Sequence, residues 1–424
     1  MNNKTLFIVL SICGLILSAL IIRNGRLLVL AIPFLVYLMI GILQSPNEMA
    51  LLAQRITDKP GVAAGEPVEL RVIVKNHGKG LVNLCLRDTL FPSMKIIDGH
   101  IFQRLSLATG ETTEINYVFE AARGIYSWNA IHASAGDPFG LFERELDIPA
   151  SAEVYVRPLS MKIRHVPLKP RSILHATGPI PARLAGPGTD FFGIREYRTG
   201  DPLRRLNWRL NARHPRKLFT NEYEREEIAD FGLVLDARKL TDSDEMEKAL
   251  FENSVCAALS LSKVLLKAGN RVALLIFGET TTSLFPGYGK RQLNLIERNL
   301  ARATQGSNLP FSYLEYFPVR LFPSRSVIIM LSTVDSRDLE TYARLRSFGY
   351  DVLLISPDPV EYAARTLPLT DINTLAVRAA RVERIVRLKQ LVKMGIQVIN
   401  WQVNQPLETI INKAGGNIPH RRNV

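Results

Sequence analysis

Two uncharged apolar runs, Leu6 to Ile22 and Leu27 to Leu43, follow one another with only Arg23-Asn24-Gly25-Arg26 between them. Inside hydrocarbon every backbone N–H and C=O must be satisfied within its own segment, so runs of this kind enter a bilayer as helices. Each is slightly shorter than the roughly 20 residues that span a bilayer core, and snorkelling polar residues at the ends make up the difference. So short a connection predicts a tight transmembrane hairpin over residues 1–47. The rival reading, Lys4 and the first run as a cleaved signal peptide, lacks a small-residue cleavage site ahead of the second run. Two loop arginines weighed against Lys4, Arg55 and Lys59 on the outer flanks lean toward a cytoplasmic main body, so a multi-pass cell-membrane protein is expected.

The remaining chain changes periodicity twice. Residues 55–158 carry short alternating segments, among them Val68 to Lys75, Val82 to Asp88, Glu114 to Glu120 and Val154 to Val156, with turn signals at Asn76-His77-Gly78, Ala108-Thr109-Gly110 and Asp137-Pro138-Phe139-Gly140. Period two with such punctuation predicts an immunoglobulin-like β-sandwich. Residues 159–227 form a proline-rich connector and a basic block. From 228 to 418, apolar runs Phe231 to Asp236, Arg271 to Phe277, Ser326 to Leu331, Asp351 to Ile355 and Ile396 to Trp401 alternate with helical patterns at Asp244 to Ala268, Lys290 to Thr304, Arg337 to Phe348, Leu375 to Met394 and Leu407 to Lys413. Runs buried on both faces, separated by helices, predict a doubly wound α/β sheet. Ligand sites of such sheets lie outside the carboxyl ends of the strands, so the loops after Asp236, Gly306 and Leu331 are expected on one edge.

Several chemistries lack their residues. The three cysteines, Cys13, Cys85 and Cys256, stand far apart in apolar runs that would bury them, and the seven histidines show no ligand spacing. Pro286-Gly287-Tyr288-Gly289-Lys290 has neither the spacing nor the hydroxyl of a phosphate loop and reads as a turn opening a helix. No nucleophile elbow is present, so neither a catalytic residue nor a cofactor is assigned.

The stretch from Gly188 to Leu218 holds eight Lys/Arg against three Asp/Glu, interleaved with aromatics. Its motifs Gly188-Thr189-Asp190-Phe191, Arg195-Glu196-Tyr197, Gly200-Asp201, Arg204-Arg205, Asn207-Trp208-Arg209 and Ala212-Arg213 resemble the signature of the domain-of-unknown-function 58 family. Asn221-Glu222-Tyr223-Glu224, Asp236, Arg123-Gly124-Ile125-Tyr126 and Asp137-Pro138-Phe139-Gly140-Leu141-Phe142 extend the likeness. The resemblance implies a von Willebrand factor type A-like α/β domain and association with a MoxR-type AAA+ ATPase, hence a non-enzymatic adaptor role.

Type A domains commonly hold a divalent cation on an Asp-x-Ser-x-Ser loop, a threonine loop and a third aspartate. Here the first loop, Asp236-Ala237-Arg238-Lys239-Leu240, keeps the aspartate and lacks both serines. Ser307 offers a hydroxyl on the second loop. Thr333 stands where the third-loop aspartate would fall, with Asp335 two residues on. Hard cations need several well-placed oxygens, so Asp236, Ser307 and Asp335 are expected to be remnants of a site without a metal, and a basic side chain such as Arg238 can replace the cation outright.

With a formal net charge of +13, the chain suits anionic partners, which leaves two readings of the basic block. In one, Arg195, Arg204, Arg205 and Arg213 pair internally with Asp190, Glu196, Asp201 and the acidic cluster from Glu222, Trp208 and Leu206 pack on the sheet, and the block serves structure or protein contact. In the other, the arginines neutralise nucleic-acid or lipid phosphates while aromatics stack. The first is preferred, and nucleic acid is disfavoured as a partner. A second basic feature, the helix bearing Arg378, Arg381, Arg384, Arg387, Lys389 and Lys393, would bury Val382, Ile385, Val386 and Leu391 and turn its charges to solvent or to anionic lipid.

Overall fold

The structure is a computed structural model that describes residues 3–45, 48–166, 180–214, 216–227, 229–239, 244–278, 281–306, 321–323, 326–368 and 370–415. It divides into two compact units, Met1–Arg157 and Pro158–Val424.

In the first unit the apolar runs are helices α1 (Asn3–Ile22) and α2 (Arg26–Gln44). At 1.5 Å rise per residue each is about 30 Å long, the thickness of a hydrocarbon core. By length and composition both suffice to cross a membrane. Cys13 is exposed on α1, and Cys85 and Cys256 are half-buried, so the expectation that all three would be buried is corrected.

Strands β1 (Leu51–Thr57), β2 (Gly61–Ala63), β3 (Val68–Asn76), β4 (Leu81–Arg87), β5 (Met94–Gly99), β6 (Phe102–Leu107), β7 (Thr112–Ala121), β8 (Gly124–Gly136) and β9 (Glu143–Arg157) follow. They form two sheets, β1-β3-β7-β5 and β2-β9-β8-β4-β6. Strict alternation puts Val68, Leu70, Val72 and Val74 of β3 inward, and they share one core with Leu84, Ile131 and Val154 of the other sheet. Arg55 is also inside. It pairs with Asp88, which accepts from the Tyr117 hydroxyl at 2.9 Å, and its guanidinium lies 5.6 Å from the Trp128 ring centroid.

The Asp137-Pro138-Phe139-Gly140 turn carries more than a reversal. Asp137 is fully buried and accepts from the backbone N–H groups of Phe139, Leu141 and Phe142 at 3.0, 2.7 and 2.7 Å. The turn meets the hairpin: the Thr5 hydroxyl donates to the Leu141 carbonyl, the Tyr37 and Phe139 rings lie 4.4 Å apart, and Gly41 leaves room for Leu141.

The second unit opens with a ribbon. Strands β10 (Ile180–Glu196) and β11 (Phe219–Glu227) pair antiparallel with three register shifts, and the single-turn helix α3 (Trp208–Asn211) lies in the excursion between them. Then come β12 (Asp230–Asp236), α4 (Asp244–Lys267), β13 (Arg271–Phe277), β14 (Thr282–Gly287), α5 (Gly289–Arg302), β15 (Val327–Leu331), α6 (Leu339–Ser347), β16 (Asp351–Pro357), α7 (Pro359–Thr366), α8 (Asp371–Lys393), β17 (Gln397–Trp401) and α9 (Leu407–Gly415). The sheet order is β14-β13-β12-β15-β16-β17, all parallel except the edge strand β14.

Helices cover both faces. Leu233 and Leu235 pack into one core with Val255, Ala258 and Leu259 of α4, and Val234 packs into the other with Tyr342 of α6 and Leu391 of α8. Helix α4 is apolar enough to cross a membrane, yet it lies mostly inside this core. Gly232 is required where it stands, because a Cβ there would sit 2.3 Å from the Phe322 ring.

Helix α8 is rotated from the expected position. Leu391 is buried, but beside it are Arg384 and Leu388, while Val382, Ile385 and Val386 are 62, 45 and 51% exposed. The cause is polar. Arg384 donates to the Thr333 and Pro357 carbonyls, the Ser356 hydroxyl and Asn400, and lies 3.2 Å from Asp358. A buried guanidinium with this many acceptors is stable inside, and its anchoring turns the valines outward.

Candidate functional site

In a doubly wound sheet of this order the crevice opens where neighbouring connections depart to opposite faces, between β12 and β15. Asp236 ends β12 there, and the three loops expected on one edge do meet. Gly306 bridges to Arg238 and donates to the Ala237 carbonyl at 3.1 Å, and the Ser332 hydroxyl donates to Asp236 at 2.6 Å.

A side chain fills the crevice. Arg238 donates from Nε and Nη2 to the two oxygens of Asp236 at 2.9 and 2.7 Å, and from Nη1 and Nη2 to those of Asp338 at 3.0 Å each. All three residues are buried, Asp338 completely. Burial disfavours the charge on Arg238, but the bonds and charges of Asp236 and then Asp338 outweigh it, raising its pKa. The same carboxylates, after burial itself, push the Tyr342 phenol far above its ordinary value. What remains of the crevice is a cavity of about 10 Å³ lined by Asp236, Arg238, Glu247, Gln305 and Ser332, at the lower limit of room for one water.

Asp335 is not part of this cluster. Its carboxylate accepts from the Ser336 N–H and from Arg337 Nε, both at 2.6 Å, opening the turn into α6. Burial favours its neutral form, yet Arg337 and Ser336 hold its pKa below the ordinary value. The carboxylate facing Asp236 is Asp338, three residues further on, brought there by a capping box in which the Asp335 N–H donates to it at 2.8 Å. Val334 in this loop has φ +63°, a strained value for a β-branched residue. Ser307 and Leu240 lie outside the described residues.

The ribbon is a second, exposed feature. Arg195 is its clamp: Nη1 and Nη2 grip Asp201 at 2.7 and 2.8 Å, and Nε donates to Glu222 on the paired strand at 2.7 Å. The Arg195 bonds are the main reason the Asp201 pKa falls to about 2. Glu196 pairs with Lys217, and the Tyr197 N–H donates to the Leu218 carbonyl at 2.8 Å. Asn207 caps α3 by accepting from the Leu210 N–H at 3.0 Å and reaches Asn221 at 2.8 Å, while the Asn211 side chain donates to the Phe219 carbonyl at 3.2 Å and accepts from the Phe219 N–H at 2.6 Å. The Arg205 guanidinium lies 5.4 Å from the Tyr223 centroid. Asp190 lies in β10, with its side chain outside the description.

Leu206 is buried as expected, but Trp208 is not packed on the sheet: it is 68% exposed. The physical reason lies in α3, whose single turn buries none of its residues. Arg204, Arg209 and Arg213 are exposed around it, without a carboxylate partner among the described residues. Internal pairing therefore accounts for Arg195 and leaves these three presented outward with Trp208 and Leu203.

Residues 193–387 match the family model described as "Protein of unknown function DUF58". This stretch belongs to the DUF58 family. The DUF58 region takes in the end of β10, the clamp, the exposed excursion, the filled crevice and most of α8. No curated protein matches the chain. Solved structures similar to parts of it include the CARDB domain of a Pyrococcus furiosus protein in complex with di-metal ions, 20% identical over 26% of this chain and 90% of that one, with a TM-score of 0.19. Another is proximal thread matrix protein 1 from the mussel byssus with a zinc-occupied MIDAS motif, at 18% identity over 31% and 36% of the two chains and a TM-score of 0.23. A third is the Pseudomonas fluorescens alkylpurine DNA glycosylase bound to DNA containing an abasic-site analogue, at 12% over 28% and 35% and a TM-score of 0.16. At these scores none bears on the function of this chain.

Proposed function

We propose that the chain is a membrane-anchored, non-enzymatic adaptor whose α/β body is von Willebrand type A-like and whose ribbon excursion contacts a protein partner. The observation that carries this reading is the Arg238 guanidinium seated between Asp236 and Asp338. At the place where doubly wound folds bind ligands, a cation of the chain itself takes the space and offsets part of the negative charge of the two aspartates. A parallel sheet with one antiparallel edge strand next but one to the central strand supports the type A assignment, and two sheets sharing one core support an immunoglobulin-like sandwich.

The contact surface would be Leu203, Arg204, Trp208, Arg209 and Arg213. Tryptophan and arginine are the residues most often found as interface hot spots, and the Arg195 clamp holds the excursion ready, which lowers the ordering cost of binding. The partner would be a MoxR-type AAA+ ATPase, with the body in the cytoplasm where ATP is available. Crosslinked pull-down of the full chain from its native membrane tests this: recovery of such an ATPase, lost with Arg204→Glu/Trp208→Ala, is the expected result. Recovery without the ATPase, or unchanged recovery with the variant, would sink it.

The same exposed arginines beside an exposed tryptophan also suit a polyanion, nucleic acid or anionic lipid. That reading requires affinity falling steeply with salt and little dependence on the identity of the partner. Pull-down of the ATPase that persists at high ionic strength separates the two.

A further inference from the structure

The rotation of α8 leaves a face for which neither the sheet nor the adaptor reading has a use. Residues 372, 375, 379, 382 and 386 recur at three- and four-residue steps and so share one side of the helix. Ile372 is 80% exposed, Leu375 67% and Val382 62%. This apolar stripe lies opposite the anchor Arg384. Arg378 and Lys389 border it on one side and Lys393 stands at its end, all exposed and without a carboxylate partner among the described residues, while the exposed Glu383 borders the other side. Arg381 is different, being paired with Glu361 at 3.1 Å.

We propose that this face of α8 rests on the anionic lipid surface of the bilayer that α1 and α2 enter, with Arg378 and Lys389 meeting headgroup phosphates and Leu375, Val382 and Val386 entering the headgroup boundary. An apolar stripe with unpaired cations along one border is the pattern of helices that lie in a membrane interface. Covalent linkage to two membrane-spanning helices raises the effective concentration of lipid at α8, so modest intrinsic affinity suffices. The cationic edge formed by Arg378, Lys389 and Lys393 has an anionic surface as its complement.

The test uses the full chain in nanodiscs, with Val382 replaced by the photo-crosslinker p-benzoylphenylalanine, in phosphatidylcholine alone and with phosphatidylglycerol added. Irradiation should give lipid adducts in the anionic discs. Their yield should fall about tenfold or more in phosphatidylcholine alone and in the Arg378→Glu/Lys389→Glu background, as expected from the loss of two headgroup contacts. A crosslink to a second copy or another protein, an equal lipid yield in all three conditions, or no lipid adduct at all would overturn the proposal. Incorporation into the discs reports on α1 and α2 separately, and the excursion at Trp208 is untouched, so failure here is distinct from failure of the adaptor reading.

Discussion

The guanidinium of Arg238 grips both carboxylate oxygens of Asp338, one hundred residues away, at 3.0 Å each. Its other edge holds Asp236, two residues back. Two loops that close neighbouring strands of the parallel sheet are thereby joined through one side chain, with the Ser332 hydroxyl as a fourth member.

Removing that side chain strands two buried carboxylates. Arg238→Ala should cost about 3–5 kcal/mol of unfolding free energy, read by urea denaturation. Arg238→Lys should recover only part of it, because an ammonium lacks the planar fork that serves two carboxylates at once. A loss below about 1 kcal/mol for the alanine variant would show that the cluster contributes little.

Because the cation at this edge is part of the chain, chelation should leave the wild-type melting temperature unchanged, as should millimolar Mg²⁺. In Arg238→Ala the two aspartates and Ser332 regain an unmet need for positive charge. Mg²⁺ should then raise the variant's melting temperature, measured by scanning calorimetry. A Mg²⁺ response in the wild type would contradict the filled crevice.

The Arg195 clamp predicts a pH dependence at the acid end. Asp201 has its pKa lowered from the ordinary 3.8 to about 2, so its contribution to stability is complete above the ordinary value and lost as pH falls through the folded one. The stability difference between wild type and Asp201→Asn should stay constant from neutral pH to about pH 5 and close between about pH 4 and 2. A difference that vanishes near neutral pH would rule this out.

Trp208 is exposed, so its truncation should separate binding from folding. Trp208→Ala should change unfolding free energy by less than about 0.5 kcal/mol and weaken partner capture by about 30-fold or more if it is a hot spot. A large stability loss with intact capture would mean that the side chain serves the fold.

Gly232→Ala places a methyl group in the ring of Phe322. In a packed core the ring has little room to yield, and the variant should be about 1–3 kcal/mol less stable by urea denaturation.

How legible all this was in the sequence differs from element to element. The parallel strands were plain because burial on both faces writes itself as unbroken apolar runs; the stretch Phe231 to Asp236 became β12 with one residue added. Strand β14 was not read, since an edge strand of half-exposed residues ending in Pro286 and Gly287 carries neither alternation nor a continuous apolar run. The ribbon was hidden by the prolines and glycines of β10. Pattern reading of α8 failed for a definite reason: it assigns valines to the core and arginines to water, and Arg384 reverses both by finding acceptors inside. At the crevice, Asp236 and the replacement of a cation by a nearby basic residue could be seen, whereas the choice between Asp335 and Asp338 could not. Which of two aspartates three residues apart faces the sheet depends on the capping turn that opens α6, and both have the same composition-level signal.

A counter-ion fixed to the polypeptide is present at unit stoichiometry from the moment of synthesis. It cannot be competed away by calcium, drawn off by a chelating metabolite or made scarce by starvation for magnesium. The edge that Arg238 occupies therefore keeps one charge state and one shape whatever the supply of free ions.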